Sequence, residues 1–549
     1  MECMGDAPLR TALDRWRRQR EGFRWEIPDA FHFGRDVVDR FAEEPGRPAL
    51  RWRGPRGESV RLDFDEVRRG SDHLAGLLAE QGVVPGTPVV VMLPRIPAWH
   101  LAMVGGLKAG ALVIPSSTLL RPKDLLYRLD HSEAVAVLAG PDEVAVVDDA
   151  TRRARAPVAR VLLRAPGQEA PLPEGWVDGD TALARPELAG PQPATRASDP
   201  ALVYYTSGTT GPPKAVLHAH AYTFAQRYTG QLWLGLRGDD LLWTTSDTGW
   251  AKAAYGVLFG PWSVGAEVFL HAGRFDPVHE LELLAELQPD VFCAPPTEFR
   301  LLVKQDLRRL LPRPRLRECV SAGEPLNPEV IRAWREATGL PIRDGYGQTE
   351  TILLVGNFPG MPIKPGSMGL PMPGHQVEVI DDDGRVLPPG EVGDVAVRGD
   401  PPSLFREYWK DPEATARARR GPWYVTGDRA TRDEDGYFWF VGRADDLIIS
   451  AGYRIGPFEV ESALLEHPDV VEAAVVAAPD AERGAVVKAF VVLRPGVAPG
   501  EELARRLQEH VKEVTAPYKY PRRIAFVEAL PKTVSGKIRR VELRQREGG

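Results

Sequence analysis

Apolar and polar residues follow a regular rhythm through most of the chain. Between about residues 31 and 138, apolar runs such as Pro88–Leu93 alternate with segments such as Asp63–Gly82, in which apolar residues recur every three or four positions. That spacing predicts helices, and the uninterrupted apolar runs predict strands buried on both faces of a parallel sheet. The rhythm returns from Leu202 to Leu270 and through residues 291–326, so the pattern predicts an α/β fold.

The pattern of apolar and polar residues changes in the last third of the chain. Short alternating segments from Gln376 to Gly399 predict a meander of antiparallel strands. After a break at residues 443–446, a helix at Pro457–Leu465, two strands and a further helix predict a small α+β unit. We therefore predict two domains, residues 1–443 and 444–549. The first is a large lobe of stacked α/β subdomains plus a β-rich subdomain, and the second is a small, mobile C-terminal domain.

Two further segments have predictable structure. Residues Arg164–Pro200 are polar and rich in proline, which predicts a surface connection. Residues Thr297–Leu311 show helical spacing along their whole length. The first 23 residues are basic but lack the apolar core of a secretory signal. An amphipathic cap and a mitochondrial-style presequence stay open for them, and the acidic Asp14 and Glu21 argue against the presequence.

Composition narrows the class of protein. The 549 residues exceed what one hydrophobic core usually organises, so several structural units are expected. No run of about 18 apolar residues could cross a bilayer, and a net charge of −7 provides no basic field for nucleic acid. Cys3, Cys293 and Cys319 lack the spacing of disulfide or zinc motifs. These features predict an enzyme of a reducing compartment, which we take to be the cytoplasm.

The sharpest chemical signal is the segment Tyr205–Lys214, which reads YTSGTTGPPK and follows an apolar strand. Its glycines let backbone N–H groups turn toward an anion, and its hydroxyls and lysine supply further donors for phosphate oxygens. It is not a Walker A loop, because Lys214 is neither preceded by glycine nor followed by serine or threonine. A polar surface turn is the usual alternative for such loops, but the full string favours phosphate binding.

This string resembles the phosphate-binding signature of the adenylate-forming enzymes, which include acyl-CoA synthetases, luciferases and the adenylation domains of peptide synthetases. The resemblance implies catalytic roles for Thr206 and Lys214, and places Thr206 at the metal. It implies that ATP phosphates are bound by Thr206, Ser207, Gly208, Thr209, Thr210, Gly211 and Lys214.

The segment DGYGQTE at residues 344–350 resembles a second motif of this family. The resemblance implies that Tyr346 stacks on adenine, that Thr349 meets the α-phosphate and that Glu350 acts in catalysis and holds Mg²⁺. An aromatic face suits a base, and a carboxylate is a hard oxygen ligand for magnesium. The implied nucleotide contacts, together with a weaker match to the adenine-side loop, are Gly323, Glu324, Asp344, Gly345, Tyr346, Gly347, Gln348 and Thr349.

Three single residues complete the adenylation set. Asp428 ends a segment that resembles the family motif whose aspartate accepts both ribose hydroxyls, and Arg443 matches an arginine at ribose or phosphate. Lys537 lies in PKTVSGKIRR, which resembles the C-terminal catalytic-lysine loop. A lysine that bridges the substrate carboxylate and the α-phosphate removes much of the repulsion between two anions.

Within the family, the chain is most similar to medium-chain acyl-CoA synthetases. The resemblance makes Asp445 the hinge of the small domain and lines the acyl pocket with Trp250, Tyr255, Gly347 and Thr349. Acetate-restricted relatives place tryptophan where Gly347 stands, so glycine predicts room for a longer chain or a ring. The implied CoA contacts are Ala451, Gly452, Tyr453, Arg454, Arg483, Lys512, Tyr520, Pro521 and Arg522.

The resemblance therefore implies an acid–thiol ligase that uses ATP, Mg²⁺ and coenzyme A to activate a medium-chain fatty or aromatic acid. Its partners are these substrates, without nucleic acid or a membrane span, and a homodimer stays open. An adenylating enzyme that loads a carrier protein is the alternative, but it should lack the CoA-side cations. A nucleotide-binding protein without turnover should lack Lys537, Glu350 or Lys214, and nothing points to the substrate of a light-emitting oxidase.

Overall fold

The structure is a computed structural model that describes residues 6–185, 188, 190, 193–206, 212–310, 315–451, 453–480, 483–532 and 538–548. Within them the chain forms three large sheets and two small ones. The α/β architecture with a β-rich part and a smaller C-terminal part is confirmed. No helix of these residues is long and apolar enough to cross a membrane.

A nine-stranded, mainly parallel sheet organises the candidate site. Its strands lie in the order Leu370–Pro371, Ile352–Gly356, Ile342–Gln348, Glu318–Ala322, Val291–Ala294, Leu241–Thr244, Glu267–His271, Pro48–Arg53 and Ser59–Asp63. Leu241–Thr244 pairs in parallel with Glu267–His271 on one side and Val291–Ala294 on the other. The order of addition therefore reverses at this strand, and ligands commonly bind outside the carboxyl ends of strands at such a point.

An eight-stranded sheet carries the candidate phosphate loop. Its order is Glu407–Tyr408, Lys214–Ala219, Pro200–Thr206, Leu112–Pro115, Pro88–Met92, Ala136–Ala139, Ala159–Leu162 and Val177–Asp178. The central strand Pro88–Met92 has its last four residues buried, as its apolar run predicts for a sheet covered by helices on both faces.

The predicted meander forms a third sheet. Its order is Val377–Ile380, Gly393–Arg398, Trp423–Arg432 and Arg419–Arg420, with Phe438–Arg443 also paired to Trp423–Arg432. Beyond Arg443 come the hairpin Ile448–Ser450 and Tyr453–Ile455 and a sheet of Val470–Asp480, Gly484–Leu493 and Arg523–Phe526. The helices of this last part are Pro457–Glu466, Glu501–Val514 and Arg540–Gly548.

Helices cover the sheets of the large lobe. The predicted helix at Asp63–Gly82 is confirmed as Phe64–Glu80, and it begins with a capping box in which Asp63 and Glu66 each accept the other's backbone N–H. The other α-helices are Asp6–Gly22, Arg40–Ala42, Pro97–Lys108, Pro122–Ser132, Val144–Arg153, Gly179–Leu183, His220–Tyr228, Ala251–Ala253, Phe259–Trp262, Pro277–Leu287, Pro296–Leu302, Pro328–Thr338 and Pro412–Arg417. The π-helical turns are Gly34–Asp39, Thr229–Leu234 and Ala254–Leu258, and the 3₁₀ turns are Pro141–Glu143 and Leu307–Leu310, with a third, Pro517–Lys519, in the C-terminal part.

Two local predictions are wrong in part. The helix predicted for Thr297–Leu311 ends at Leu302, because Asp306 accepts the backbone N–H of Arg308 and this local turn competes with the helix. Residues 164–200 are not all surface, since Trp176 is buried and donates from its indole N–H to Asp148 at 2.9 Å.

The N-terminal helix packs onto the large lobe. Its apolar side buries Leu13 and Trp16, and Trp16 lies against the ring of Phe358. Arg20 anchors its end by donating to the carbonyl of His375 at 3.2 Å. The large lobe therefore covers the apolar face of this helix.

Candidate active site

Two parallel strands bring the adenine-side loop beside the DGYGQTE motif. Ser321 pairs with Asp344 and Ala322 with Gly345, so both strands end at the same edge of the nine-stranded sheet. Gly323 turns the chain there with a φ of +111°, a conformation that favours glycine. The loop and the motif therefore face one cleft.

Asp428 is the centre of a hydrogen-bonded group at this edge. The Tyr346 hydroxyl and the Gln348 amide both donate to Asp428 Oδ2 at 2.7 Å. Burial raises the pKa of Tyr346 well above its usual value, so the hydroxyl stays a donor. Asp428 is only 7% exposed, so these two donors hold its carboxylate in one orientation.

Glu350 lies at the end of the same motif and contacts the eight-stranded sheet through Tyr408. Tyr408 donates to Glu350 Oε1 at 2.8 Å, and Lys214 Nζ lies 4.5 Å from the centroid of the Tyr408 ring. Burial raises the pKa of Glu350, although Tyr408 and Lys214 act in the opposite direction. A buried carboxylate of this kind is stabilised by a further cation.

The strand pair at the phosphate loop is described up to its two ends. Thr206 pairs with Lys214, and the Thr206 hydroxyl donates to the Lys214 carbonyl at 3.4 Å. Some of the predicted site residues lie outside the described residues, namely Ser207, Gly208, Thr209, Thr210, Gly211, Gly452 and Lys537. The side chain of Arg454 also lies outside them.

Arg443 lies opposite Asp428 in the neighbouring strand, as the predicted nucleotide site requires. Its guanidinium donates to Asp445 at 3.0 Å. Burial lowers the pKa of Arg443, but Asp445 outweighs this effect and holds the pKa above its usual value. The pair lies where the chain leaves the β-rich sheet.

Of the two aromatic residues predicted for the acyl pocket, Tyr255 lies near the motif. The Tyr255 ring lies 5.9 Å from that of Trp233, whose indole N–H donates to the carbonyl of Asp344 at 3.3 Å. Trp250 follows a loop fixed by Asp247, which accepts from the Ser117 hydroxyl at 2.9 Å. Both aromatic side chains are partly exposed, as expected for walls of a cleft.

Gly347 has a backbone reason to be glycine that the sequence did not reveal. It is exposed to the cleft, but a Cβ added there would lie 1.9 Å from the carbonyl oxygen of Ile352 on the adjacent strand. Any side chain must therefore displace this strand before it can fill the pocket. The interpretation that glycine serves only to leave room for the acid is incomplete.

We expect Gly347→Ala to lower activity with acids of every length and to destabilise the fold by about 1–3 kcal/mol through overpacking. Thermal unfolding and kcat/KM with acetate and octanoate measure both effects. Gly22→Ala is the matched control, because a Cβ there meets nothing within 4 Å. A stable Gly347→Ala enzyme with a selective gain for acetate would contradict this expectation.

The predicted CoA residues form two groups on the C-terminal part. The backbone N–H of Ala451 donates to the carbonyl of Arg483 at 3.1 Å, and Tyr453 stacks on Tyr518 with ring centroids 4.5 Å apart. Tyr453 is 53% exposed, so this stack faces solvent.

The second group surrounds Tyr520. Lys512 Nζ lies 4.3 Å and Arg522 Cζ 4.9 Å from the centroid of the Tyr520 ring. The carbonyl of Pro521 accepts from the Gln508 amide at 3.0 Å. Tyr518 is two residues from Tyr520, so the chain connects the two groups.

The opposite side of the C-terminal part faces the large lobe. Asn327 donates to the Ser462 hydroxyl at 2.9 Å across this boundary. Lys532, which forms a β-bridge with Ile538, pairs with Glu472 at 2.6 Å. Burial lowers the pKa of Lys304 in the large lobe, and Glu472 acts in the opposite direction, so this side of the C-terminal part faces the large lobe.

Sequence reasoning missed three supporting residues. Tyr408 holds Glu350, Tyr424 donates to Gln348 Oε1 at 3.0 Å, and His218 donates to the carbonyl of Thr349 at 2.8 Å. Burial lowers the pKa of His218 to about 3, so its ring is neutral. No local pattern marks these residues, because each contact joins distant segments of the chain.

Two family models and several known proteins are similar to this chain. The family model of the AMP-binding enzymes matches residues 37–409, and that of the AMP-binding enzyme C-terminal domain matches residues 459–537. The rat protein named acyl-coenzyme A synthetase ACSM3, mitochondrial, is 44% identical over 556 residues, which cover 98% of this chain and 95% of the rat protein.

Two solved structures are also similar. An anthranilate CoA ligase, AuaEII, in complex with anthranoyl-AMP has a TM-score of 0.84 and 31% identity, covering 95% of this chain and 98% of its own. A benzoate CoA ligase from Burkholderia xenovorans LB400 has a TM-score of 0.81 and 31% identity, covering 94% of this chain and 100% of its own.

Proposed function

This chain belongs to the AMP-binding enzyme family, and we propose from its site how it works as an acyl-CoA synthetase. It activates a medium-chain fatty or aromatic acid with ATP to form acyl-AMP and pyrophosphate, and then transfers the acyl group to CoA with release of AMP. The observation that carries our assignment of residues is the group of Tyr346, Gln348 and Asp428, which lies in one cleft with Glu350.

In this proposal the buried Asp428 carboxylate binds the ribose hydroxyls, and the ring of Tyr346 packs on adenine. A carboxylate accepts two donors at once, so a vicinal diol is a suitable partner. Arg443 lies on the adjacent strand and stabilises the negative charge of ribose-linked phosphate. Gly323, Glu324, Asp344 and Gly345 shape the adenine side of the same cleft.

The phosphates lie between the loop that ends at Lys214 and the Glu350 carboxylate. Oxygen donors from Thr206 and Glu350 fit Mg²⁺, and a cation would offset the cost of the buried Glu350 charge. When bound, the ion would neutralise phosphate charge. Lys214 and Thr349 orient the phosphates, and Lys537 stabilises the charge that develops as the acid carboxylate attacks.

We propose that the large domain ends at residue 443, that the small domain begins at residue 444 and that Asp445 is the hinge of the small domain. Lys532 pairs with Glu472, which lies near Lys304 of the large lobe, whereas Ile449 and Tyr453 are 61% and 53% exposed. An exposed apolar hairpin of this kind suits a surface that is covered at another stage of the cycle. Rotation about the hinge would bring the hairpin and its CoA contacts to the cleft for the second half-reaction.

We expect Tyr453→Ala to slow acyl-CoA formation from supplied acyl-AMP about tenfold or more, because it removes an aromatic wall of the CoA path. Acyl-AMP formation, followed by pyrophosphate release, should change less than about twofold. Val386→Ala, another exposed apolar position at 47% exposure, is the control. Equal losses in both half-reactions would refute the separation of the two faces.

The preferred acid is tested with a panel that runs from acetate to dodecanoate and includes benzoate, with ATP, Mg²⁺ and CoA present. We expect AMP and thioester in equal amounts, with the highest kcat/KM between butyrate and octanoate or at benzoate. Release of AMP or pyrophosphate without thioester would instead favour the carrier-protein alternative.

We further propose a cytoplasmic enzyme that binds no nucleic acid, although the rat relative carries mitochondrial in its name. The net charge of −7 supports the absence of a nucleic-acid partner. Cell fractionation tests the location, and light scattering of the purified enzyme decides between a monomer and the homodimer that the sequence leaves open.

A further inference from the structure

Two charged side chains lie at the crevice where the nine-stranded sheet reverses its order. Lys252 follows the strand Leu241–Thr244 and stands between Trp250 and Tyr255 in the chain, and Glu298 lies in the helix after Val291–Ala294. The carboxyl ends of these two strands meet at the switch point. Ligands of open α/β sheets commonly bind there.

Lys252 has a buried charged end without a hydrogen-bond partner among the described residues, and Glu298 has one such carboxyl oxygen although Thr245 bonds to its carboxyl group. Lys252 Nζ and Glu298 Oε2 are shielded from solvent and form no hydrogen bond with the described part of the chain. Burial raises the pKa of Glu298 to about 7, although Thr245 and Lys252 act in the opposite direction. Lys252 is therefore close enough to affect the carboxyl without bonding to it. Buried charges without a partner are costly unless another polar group joins them.

The hydrogen-bonding requirements of Lys252 and Glu298 determine which chemical group can bind to both. The ammonium can only donate, and the ionised form of Glu298, which Thr245 and Lys252 favour, can only accept. A hydroxyl satisfies both, whereas an amine competes with Lys252 for the same acceptor and a second carboxylate is repelled by Glu298.

We propose that Lys252 and Glu298 recognise a hydroxyl group that the acid carries away from its carboxylate. The preferred substrates are then hydroxylated aromatic or fatty acids. This inference rests on the proposed position of the acid beside Trp250 and Tyr255, and it names the substrate class of that site. The two residues determine specificity and do not touch the reacting atoms.

The test uses pairs of acids that differ by one hydroxyl, namely benzoate with its monohydroxy isomers and octanoate with its ω-hydroxy derivative. We expect at least one hydroxylated acid to exceed its parent about tenfold or more in kcat/KM, because a buried hydrogen-bonding site discriminates against an analogue that leaves it unpaired. Lys252→Met and Glu298→Met should each bring this ratio to within about twofold of unity while the parent acid is still used. Glu282→Gln, on the exposed face of a nearby helix, should keep the wild-type ratio.

Two results would overturn the inference. One is a wild-type enzyme that prefers every parent acid to its hydroxylated forms, and this comparison is decisive even where a variant does not fold. The other is a folded variant of Lys252 or Glu298 that leaves the ratio unchanged. Failure of the proposed function is distinguishable, because then no acid of either kind would give AMP and thioester.

Discussion

Replacing Lys537 with alanine should lower the rate of acyl-AMP formation about a thousandfold, while acyl-CoA formation from supplied acyl-AMP keeps most of its rate. Two unit charges ~4 Å apart at an effective dielectric of ~20 repel by ~4 kcal/mol, and a lysine between the acid carboxylate and the α-phosphate removes most of this barrier. A barrier of that size corresponds to a rate factor of about a thousand. The second half-reaction brings together a thiol and an already activated acyl group, so it lacks this repulsion.

The measurement follows pyrophosphate release for the first half-reaction and thioester for the second. Lys532→Ala is the matched control, because Lys532 lies in the same C-terminal segment but is paired with Glu472. Loss of a surface ion pair should change either rate only slightly. An equal loss of both half-reactions in Lys537→Ala would show that one arrangement of the small domain serves both.

Replacing Glu350 with glutamine should lower acyl-AMP formation about a hundredfold or more and raise the Mg²⁺ concentration needed for half-maximal rate. Glutamine keeps the size of the side chain and an oxygen that can accept from Tyr408, so the change is mainly one of charge. Loss of a single preorganised charge in a buried site typically costs about 10²–10³ in rate.

Tyr408→Phe tests the hydrogen bond to Glu350 separately from the charge of Glu350. It removes the hydrogen bond at 2.8 Å but leaves the carboxylate, so we expect a loss of about tenfold or less. Magnesium titrations of both variants and the wild type provide the comparison. A Glu350→Gln enzyme with an unchanged rate and an unchanged magnesium requirement would remove Glu350 from the metal site.

The local pattern predicted most of the helices and strands. Apolar runs such as Pro88–Leu93 became buried strands, and the capping box at Asp63 fixed the start of a helix. The family resemblance assigns Tyr346 and Asp428 to one nucleotide site, and in the structure a hydrogen bond of 2.7 Å joins their side chains. The predictions of helices and strands succeed because their periodicity is a property of the local sequence.

The contacts between distant segments could not be predicted in this way. Tyr408 is 58 residues from Glu350 and Tyr424 is 76 residues from Gln348, so no periodicity connects them. At Gly347 the constraint comes from the backbone of the adjacent strand, which only the register of that pair reveals. The buried positions of Lys252 Nζ and Glu298 Oε2 likewise depend on how two helices meet at the edge of the sheet.

The most direct test of the central claim uses a good acid substrate labelled with ¹⁸O in its carboxylate, together with ATP, Mg²⁺ and CoA. In the proposed reaction a carboxylate oxygen attacks the α-phosphate and stays with the phosphate when the thiol takes the acyl group. Mass spectrometry should therefore find one labelled oxygen in AMP and none in pyrophosphate. Unlabelled AMP, or label in ADP or phosphate instead, would contradict the formation of acyl-AMP at this site.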